Sequence, residues 1–305
     1  MGMTELGRTI ANQRKKRGMT QKELSKGVCS QPALSLIEKG NSLPSLENIF
    51  LISIKLKKPV ELFLLCLTED TEYDQIYQTT SSIDNLIKFH DFEAIYSISS
   101  KELTKRQGKN SWYDHYLSWV YFMSKYRLNL LSYKETIYNL KSLLNSDNSL
   151  AIEINGLSLK IINSIAFVHS ENKSFQEALK YYDKGLNKVD NAWTNDNDLP
   201  LSAIRIKFLF NKVKTLYDMG QYQDAIFHAK NGIEESKKSE NMSLIGHFFY
   251  YIGQCYEKEN REFEDIAEMY SKAEFFFVLL DREKLLNILY ELKSDFLTNK
   301  DSKKQ

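Results

Sequence analysis

Proline is scarce in this 305-residue sequence, with four, and glycine numbers only twelve and valine seven. The turn chemistry and β-branched runs that strands need are therefore mostly absent, and an all-α chain is expected. There are three cysteines, Cys29, Cys66 and Cys255. They lie too far apart for a disulfide framework or a CxxC metal site and are read as small core residues. No apolar run approaches the ~18–20 residues that span a bilayer; the longest, residues 49–54 and 275–280, are core-sized. A basic-then-apolar leader is missing, and Leu6 stands where a myristoylation pattern requires Ser or Thr. A cytoplasmic protein with no membrane partner is expected. The five histidines (His90, His115, His169, His228, His247) show no HExxH or paired spacing, and no P-loop, GxSxG or GxGxxG motif occurs. No metal, cofactor or catalytic role is expected.

Net charge of one sign is also lacking, since 41 Lys and Arg face 40 Asp and Glu. That balance conceals an asymmetry. Residues 1–66 carry 11 basic residues against 5 acidic ones, a net +6, while 67–305 carry 30 against 35, a net −5. A basic head on an acidic body points to nucleic acid at one end. Pro32, Pro44 and Pro59 cut the head into short helices, whereas the body has only Pro200. The expected division is a DNA-binding head (1–66), a linker helix region (67–85) and a repeat domain (86–305). The boundary falls near residues 66–74, at the polar stretch Thr68-Glu69-Asp70-Thr71-Glu72.

In the head, Leu6, Ile10 and Arg14 recur at helical spacing, and Gly18 offers an αL stop. Thr20-Gln21-Lys22-Glu23 reads as a capping box opening a second, short helix to about Lys26. Ser30 caps a third helix with Pro32 in its tolerant first turn, and Gly40 ends it. Pro44-Ser45 opens a fourth helix with Leu46, Ile49, Ile52 and Leu56 inward, and Pro59 a fifth with Leu62 and Phe63. Five short helices with a tight Gly-containing turn between the second and third match the helix-turn-helix plan. The stretch RKKRGMTQKELSKGVCSQPALSLIEKGNSLPSLENI resembles the Cro/434-repressor (XRE) type of DNA-binding domain. The resemblance implies that Gln21 and Lys39 contact phosphates and that Gln31, Pro32, Ser35 and Leu36 face the major groove. It also implies a buried ion pair between Arg14 and Glu38. Pro32 cannot donate a hydrogen bond and Leu36 offers only apolar contact, so the base code departs from the polar norm.

In the body, an aromatic residue recurs with partners three, seven and ten positions later. The instances are Phe92/Ile95/Ser99/Glu102, Tyr133/Thr136/Leu140/Leu143, Phe175/Ala178/Tyr182/Gly185, Tyr222/Ala225/Ala229/Gly232 and Phe263/Ile266/Tyr270/Ala273. Their aromatics are 41, 42, 47 and 41 residues apart, a period that signals stacked helical hairpins. NKSFQEALKYYDKGL and DMGQYQDAIFHAKNGI are similar to the second half of a tetratricopeptide (TPR) repeat, which implies a right-handed superhelix of about five hairpins. The repeats exceed the ~34-residue TPR standard, so longer helices or loops are expected, notably across residues 194–200. The first helices of such hairpins line a concave face whose usual cargo is peptide. Asn163 and Asn211 hold nearly equivalent positions, 12 and 11 residues before their aromatics, and an Asn amide both donates to and accepts from a peptide backbone. Lys207, Lys214 and Tyr217 flank Asn211, and His247, Tyr250, Tyr251 and Gln254 share adjacent faces of the next repeat. Any of these can instead serve packing: Asn can satisfy a neighbouring helix, and Tyr is often core.

An XRE-type head fused to TPR-like repeats resembles the peptide-pheromone regulators of the Rap/Rgg/NprR/PlcR/PrgX (RNPP) family, most of all its PlcR branch. That resemblance implies a homodimer whose repeats bind a short signalling peptide and reposition paired heads on a pseudo-palindromic double-stranded operator, in quorum sensing. The repeats are expected to dimerise alone through an aromatic-rich surface that includes Phe275-Phe276-Phe277, although that cluster reads as core before interface. Two rival readings remain: repeats that bind or dephosphorylate a response regulator, and an XRE-type repressor controlled by a protein partner.

Overall fold

A computed structural model describes residues 2–67, 73–106, 112–145, 156–191 and 201–297. All regular structure among them is helical. The polar stretch at 68–72 and the expected long loop at 194–200 lie outside the described residues. The chain forms two compact units, Met1–Leu130 and Leu131–Gln305.

The first unit begins with five short helices: α1 (Gly2–Lys16), α2 (Gln21–Ser25), α3 (Gln31–Glu38), α4 (Leu46–Leu56) and α5 (Glu61–Leu65). Three of these starts have a side-chain cap. Thr20 and Glu23 form the capping box on α2, and the Ser30 and Ser45 hydroxyls accept from Ala33 N and Asn48 N to cap α3 and α4. Gly18, Gly27 and Gly40 adopt positive φ after α1, α2 and α3, where a side chain would be strained. Leu6, Ile10, Leu24, Leu34, Ile37, Ile49, Ile52, Leu56, Leu62 and Phe63 form one closed core confined to this head. Leu46 departs from expectation: it is 74% exposed. It occupies the first position of α4, one turn before the buried stripe Ile49, Ile52, Ser53 and Leu56 begins, so it has nothing to pack on. Three longer helices follow in the same unit, α6 (Tyr73–Phe89), α7 (Phe92–Lys105) and α8 (Trp112–Arg127). The Tyr116 hydroxyl donates to Asp84 at 2.8 Å and ties α8 to α6.

The second unit comprises α9 (Tyr133–Leu144), α10 (Leu157–Glu171), α11 (Phe175–Asp190), α12 (Leu201–Asp218), α13 (Tyr222–Lys238), α14 (Ile245–Lys258), α15 (Phe263–Leu279) and α16 (Glu283–Leu297). Every framed aromatic of the sequence opens a helix: Phe92 α7, Tyr133 α9, Phe175 α11, Tyr222 α13 and Phe263 α15. Helices α10/α11, α12/α13 and α14/α15 pack as three successive hairpins of TPR-like kind, and α16 packs on α15. Their shared core runs from Leu159 to Leu289. The small residues of the frame set the helix spacing, because a Cβ on Gly185 would enter the ring of Phe208 and one on Gly232 the ring of Phe248. Of the three expected core cysteines, Cys66 and Cys255 are buried and Cys29 is half-buried. No helix of the described residues is long and apolar enough to cross a membrane.

Candidate nucleic-acid and peptide-binding surfaces

The head's polar site is built around one carboxylate. Arg14 on α1 grips Glu38 at the end of α3 with two parallel bonds, Nε to Oε1 at 2.6 Å and Nη2 to Oε2 at 2.8 Å. Its remaining Nη1 donates to the Met19 carbonyl at 2.7 Å. Gln21 Nε2, from the first turn of α2, also donates to Glu38 at 2.8 Å. Burial pushes the Glu38 carboxyl up, but the hydrogen bonds from Arg14 and Gln21 outweigh it and hold the group below its usual range. Gln31 Nε2 in turn donates to Gln21 Oε1 at 2.9 Å, so the two glutamines expected at DNA form one chain anchored on the ion pair. Each amide keeps a second N–H for a phosphate or base edge. Gln31, Pro32, Leu36 and Lys39 are exposed along α3 and its C-cap, with Ser35 partly so. All six residues expected at DNA thus occupy one side of the α2–α3 pair or its ends.

In the repeat unit, Asn211 on α12 donates its Nδ2 to Asn163 Oδ1 on α10 at 3.0 Å, joining the two asparagines singled out in the sequence. Further along the same helices, two turns beyond Asn163 and one beyond Asn211, the Ser170 and Thr215 hydroxyls meet at 2.8 Å. Beside them opens a cleft of about 310 Å³, lined by Phe167, Ser170, Glu171, Asn211, Lys214 and Asp218 and reaching the buried Tyr182. Four of these, Phe167, Ser170, Glu171 and Asp218, escaped the sequence reading. Their signal is nonetheless helical: they stand four, seven and eight residues beyond Asn163 and seven beyond Asn211.

Next to the cleft, Tyr217 meets Tyr251 edge-on at 5.6 Å, and Tyr251 meets Tyr250 and Phe210 likewise at 5.9 and 6.0 Å. Gln254 Nε2 donates to the Tyr250 hydroxyl at 2.6 Å. Tyr217, Tyr250, Tyr251 and Gln254 therefore form one aromatic platform on α12 and α14. Lys207 is exposed on α12 and does not line the cleft. His247 joins the platform through Phe210, its ring held edge-on between Phe210 at 5.2 Å and Phe277 at 5.3 Å. Burial, then Arg282, pushes its pKa down to about 4, so the imidazole is neutral at physiological pH. Among the described residues no cluster of His, Cys, Asp and Glu could hold a metal ion.

A five-helix helix-turn-helix head followed by TPR-like hairpins defines a two-part class of α-helical protein. The helix-turn-helix family matches residues 10–63, and the RNPP family C-terminal domain matches residues 80–298. The chain belongs to the RNPP family. It is similar to PlcR of Bacillus thuringiensis in complex with the peptide PapR7 and DNA, at 28% identity over 94% of this chain and 99% of that one, with a TM-score of 0.80. The apo form of the same PlcR matches at 26% identity over 95% and 99%, with a TM-score of 0.67. ComR from S. thermophilus, in complex with DNA and its signalling peptide ComS, shares the fold at 18% identity, over 95% and 99%, with a TM-score of 0.56. No curated protein sequence matches the chain.

Proposed function

We propose that this protein is a cytoplasmic, homodimeric transcriptional regulator that reads a pseudo-palindromic operator with α3 and senses a short peptide with its repeats. The domain division at 1–66, 67–85 and 86–305 belongs to this proposal, and the head's self-contained core supports its first boundary. For the DNA end, the support is the exposed line of Gln31, Pro32, Leu36 and Lys39 beside Gln21. The observation that carries the peptide end is the Asn163–Asn211 amide bridge, whose Asn211 lines the cleft. An extended peptide has a backbone donor and acceptor at every residue, and these two amides can exchange their mutual bond for bonds to it. The tyrosine platform supplies apolar area for the peptide's side chains.

The test is a screen of peptides of five to eight residues by fluorescence polarisation, followed by calorimetry of the best binder. Asn163→Ala and Asn211→Ala should each weaken that peptide about tenfold or more, since each leaves a peptide amide unmatched at ~1–3 kcal/mol. Their melting temperatures should stay near wild type. Release or recruitment of operator DNA by a folded protein, with no response to any peptide, would favour the protein-partner reading instead.

A further inference from the structure

We infer that Lys55 is a positioning residue for DNA reading: its ammonium, carried on α4, clamps the C-terminal end of α2 and so fixes the turn that aims α3. The inference rests on the proposed reading of DNA by α3. The last carbonyls of any helix lack intrahelical partners and carry partial negative charge, and in a helix as short as α2 they are most of the helix. Their partners here can be counted one by one. The Lys22 carbonyl takes Lys26 N and the Ser25 hydroxyl, and the Ser25 carbonyl takes Val28 N and Cys29 N. The carbonyls of Glu23, Leu24 and Lys26 all take the Lys55 ammonium, the first two at 2.7 and 3.1 Å. An ammonium has three donors, and all three are directed at the protein's own backbone.

Lys55 is itself held in place, because Arg17 Nη1 donates to its carbonyl at 3.3 Å. The short α2 is thereby pinned at both ends. Gln21 ties its start to Glu38 of α3, and Lys55 ties its end to α4. Between the clamp and α3 lies only the turn around Gly27, at φ 76°, up to the Ser30 cap. Removing the clamp leaves the Glu23, Leu24 and Lys26 carbonyls to water and frees the α2–α3 angle. That angle decides whether Gln31 and Ser35 meet base edges together. Contact of the head with the phosphate backbone does not depend on it, so a lysine counted in the basic patch acts on specificity rather than on charge neutralisation.

The experiment uses the full chain and three variants: Lys55→Gln, Lys55→Arg and, as a control for losing one positive charge, the exposed Lys58→Gln. A preferred duplex is first selected from a random library with the wild type. Affinity for that duplex and for a random one is then measured across salt concentrations, well below each variant's melting temperature. Lys55→Gln should lower the preferred-to-random affinity ratio about tenfold or more, leave random-DNA binding no weaker than in Lys58→Gln, and be largely rescued in Lys55→Arg. Lys55→Met keeps the stem packed and removes the donors, so the ratio stays measurable if Lys55→Gln does not fold. A fall in both affinities alike, with the salt slope reduced by the ~0.9 of one phosphate contact, would make Lys55 a phosphate ligand and overturn the inference. A lowered melting temperature with an unchanged ratio would overturn it too. A wild type that selects no sequence would instead overturn the reading of α3 and the inference with it.

Discussion

Deleting the carboxylate at the centre of the head, by Glu38→Ala, removes the shared acceptor of Arg14 and Gln21 and leaves three N–H donors unmatched. The side chains of Arg14 and Glu38 are only 11% and 5% exposed, so the loss falls on enclosed groups. Breaking a buried pair by deleting one partner costs ~3–5 kcal/mol. Arg14 keeps its bond to the Met19 carbonyl and lies close to the surface, which places the expected cost at the low end, about 3 kcal/mol. A domain of this size has roughly 3–10 kcal/mol of stability in all, so the midpoint of head unfolding should fall by roughly 12–24 °C. Calorimetry of the full chain, with hydrogen exchange followed at the amides of α1 and α3, reads the change. Arg14→Met combined with Glu38→Leu should recover most of it, because the charge left stranded is what destabilises. The folded-state pKa of Glu38 is lowered, so the pair's contribution is present above the ordinary carboxylate range and lost as pH falls through the lower folded value. Wild type and Glu38→Ala should therefore converge in acid. A cost below about 1 kcal/mol at neutral pH, or a double variant no better than the single one, would show that no stranded buried charge destabilises the head.

At the DNA surface, Gln21→Ala should weaken random duplex and also lower the preferred-to-random ratio, because Gln21 holds Gln31 and ties α2 to Glu38, whereas Gln31→Ala should leave random binding unchanged and lose discrimination of about 1–3 kcal/mol at one base pair; binding to random duplex and to a set of single-base variants separates the two. Gly185→Ala should destabilise the repeats by about 1–2 kcal/mol by denaturant melting, since the clash with Phe208 outweighs the gain in helix propensity of up to ~1 kcal/mol; a neutral result would mean that the hairpins can separate freely. His247 takes its proton at about 4 in the folded chain but near 6.5 when unfolded, so the stability that depends on its neutrality is complete above that upper value and is lost as pH falls toward the lower one. The difference amounts to about 3 kcal/mol, and His247→Leu should flatten the pH dependence of the urea midpoint over that window. Equal slopes for the variant and wild type would rule this out.

Much of the architecture was legible because it follows from local chemistry. Thr20, Ser30 and Ser45 cap the helices that their positions announce, and each framed aromatic opens a repeat helix because the next three frame positions are the stripe the helix turns inward. Leu46 shows the limit of that arithmetic: its spacing from Ile49 is helical, but whether a neighbour exists to cover it is a tertiary fact. His247 shows another. It shares a helical face with Tyr250, Tyr251 and Gln254 in the sequence pattern, yet it sits in the first turn of α14, where Phe210 and Phe277 enclose it. The bridge between Asn163 and Asn211 joins residues 48 apart, and no periodicity states that their amides meet. Lys55 was hardest to read, since in a basic sequence a lysine whose donors face backbone carbonyls 29–32 residues away looks like any other positive charge.

The proposed switch couples peptide and operator through the chain, and linkage makes the coupling measurable: a peptide that changes operator affinity by some factor must have its own affinity changed by operator by that same factor. Calorimetric titration of the screened peptide, with and without saturating operator duplex, together with operator titration with and without saturating peptide, gives both factors. Equal factors are expected, each at least about fivefold, the lower range of typical allosteric coupling. Peptide affinity that is the same with and without operator would contradict the coupling.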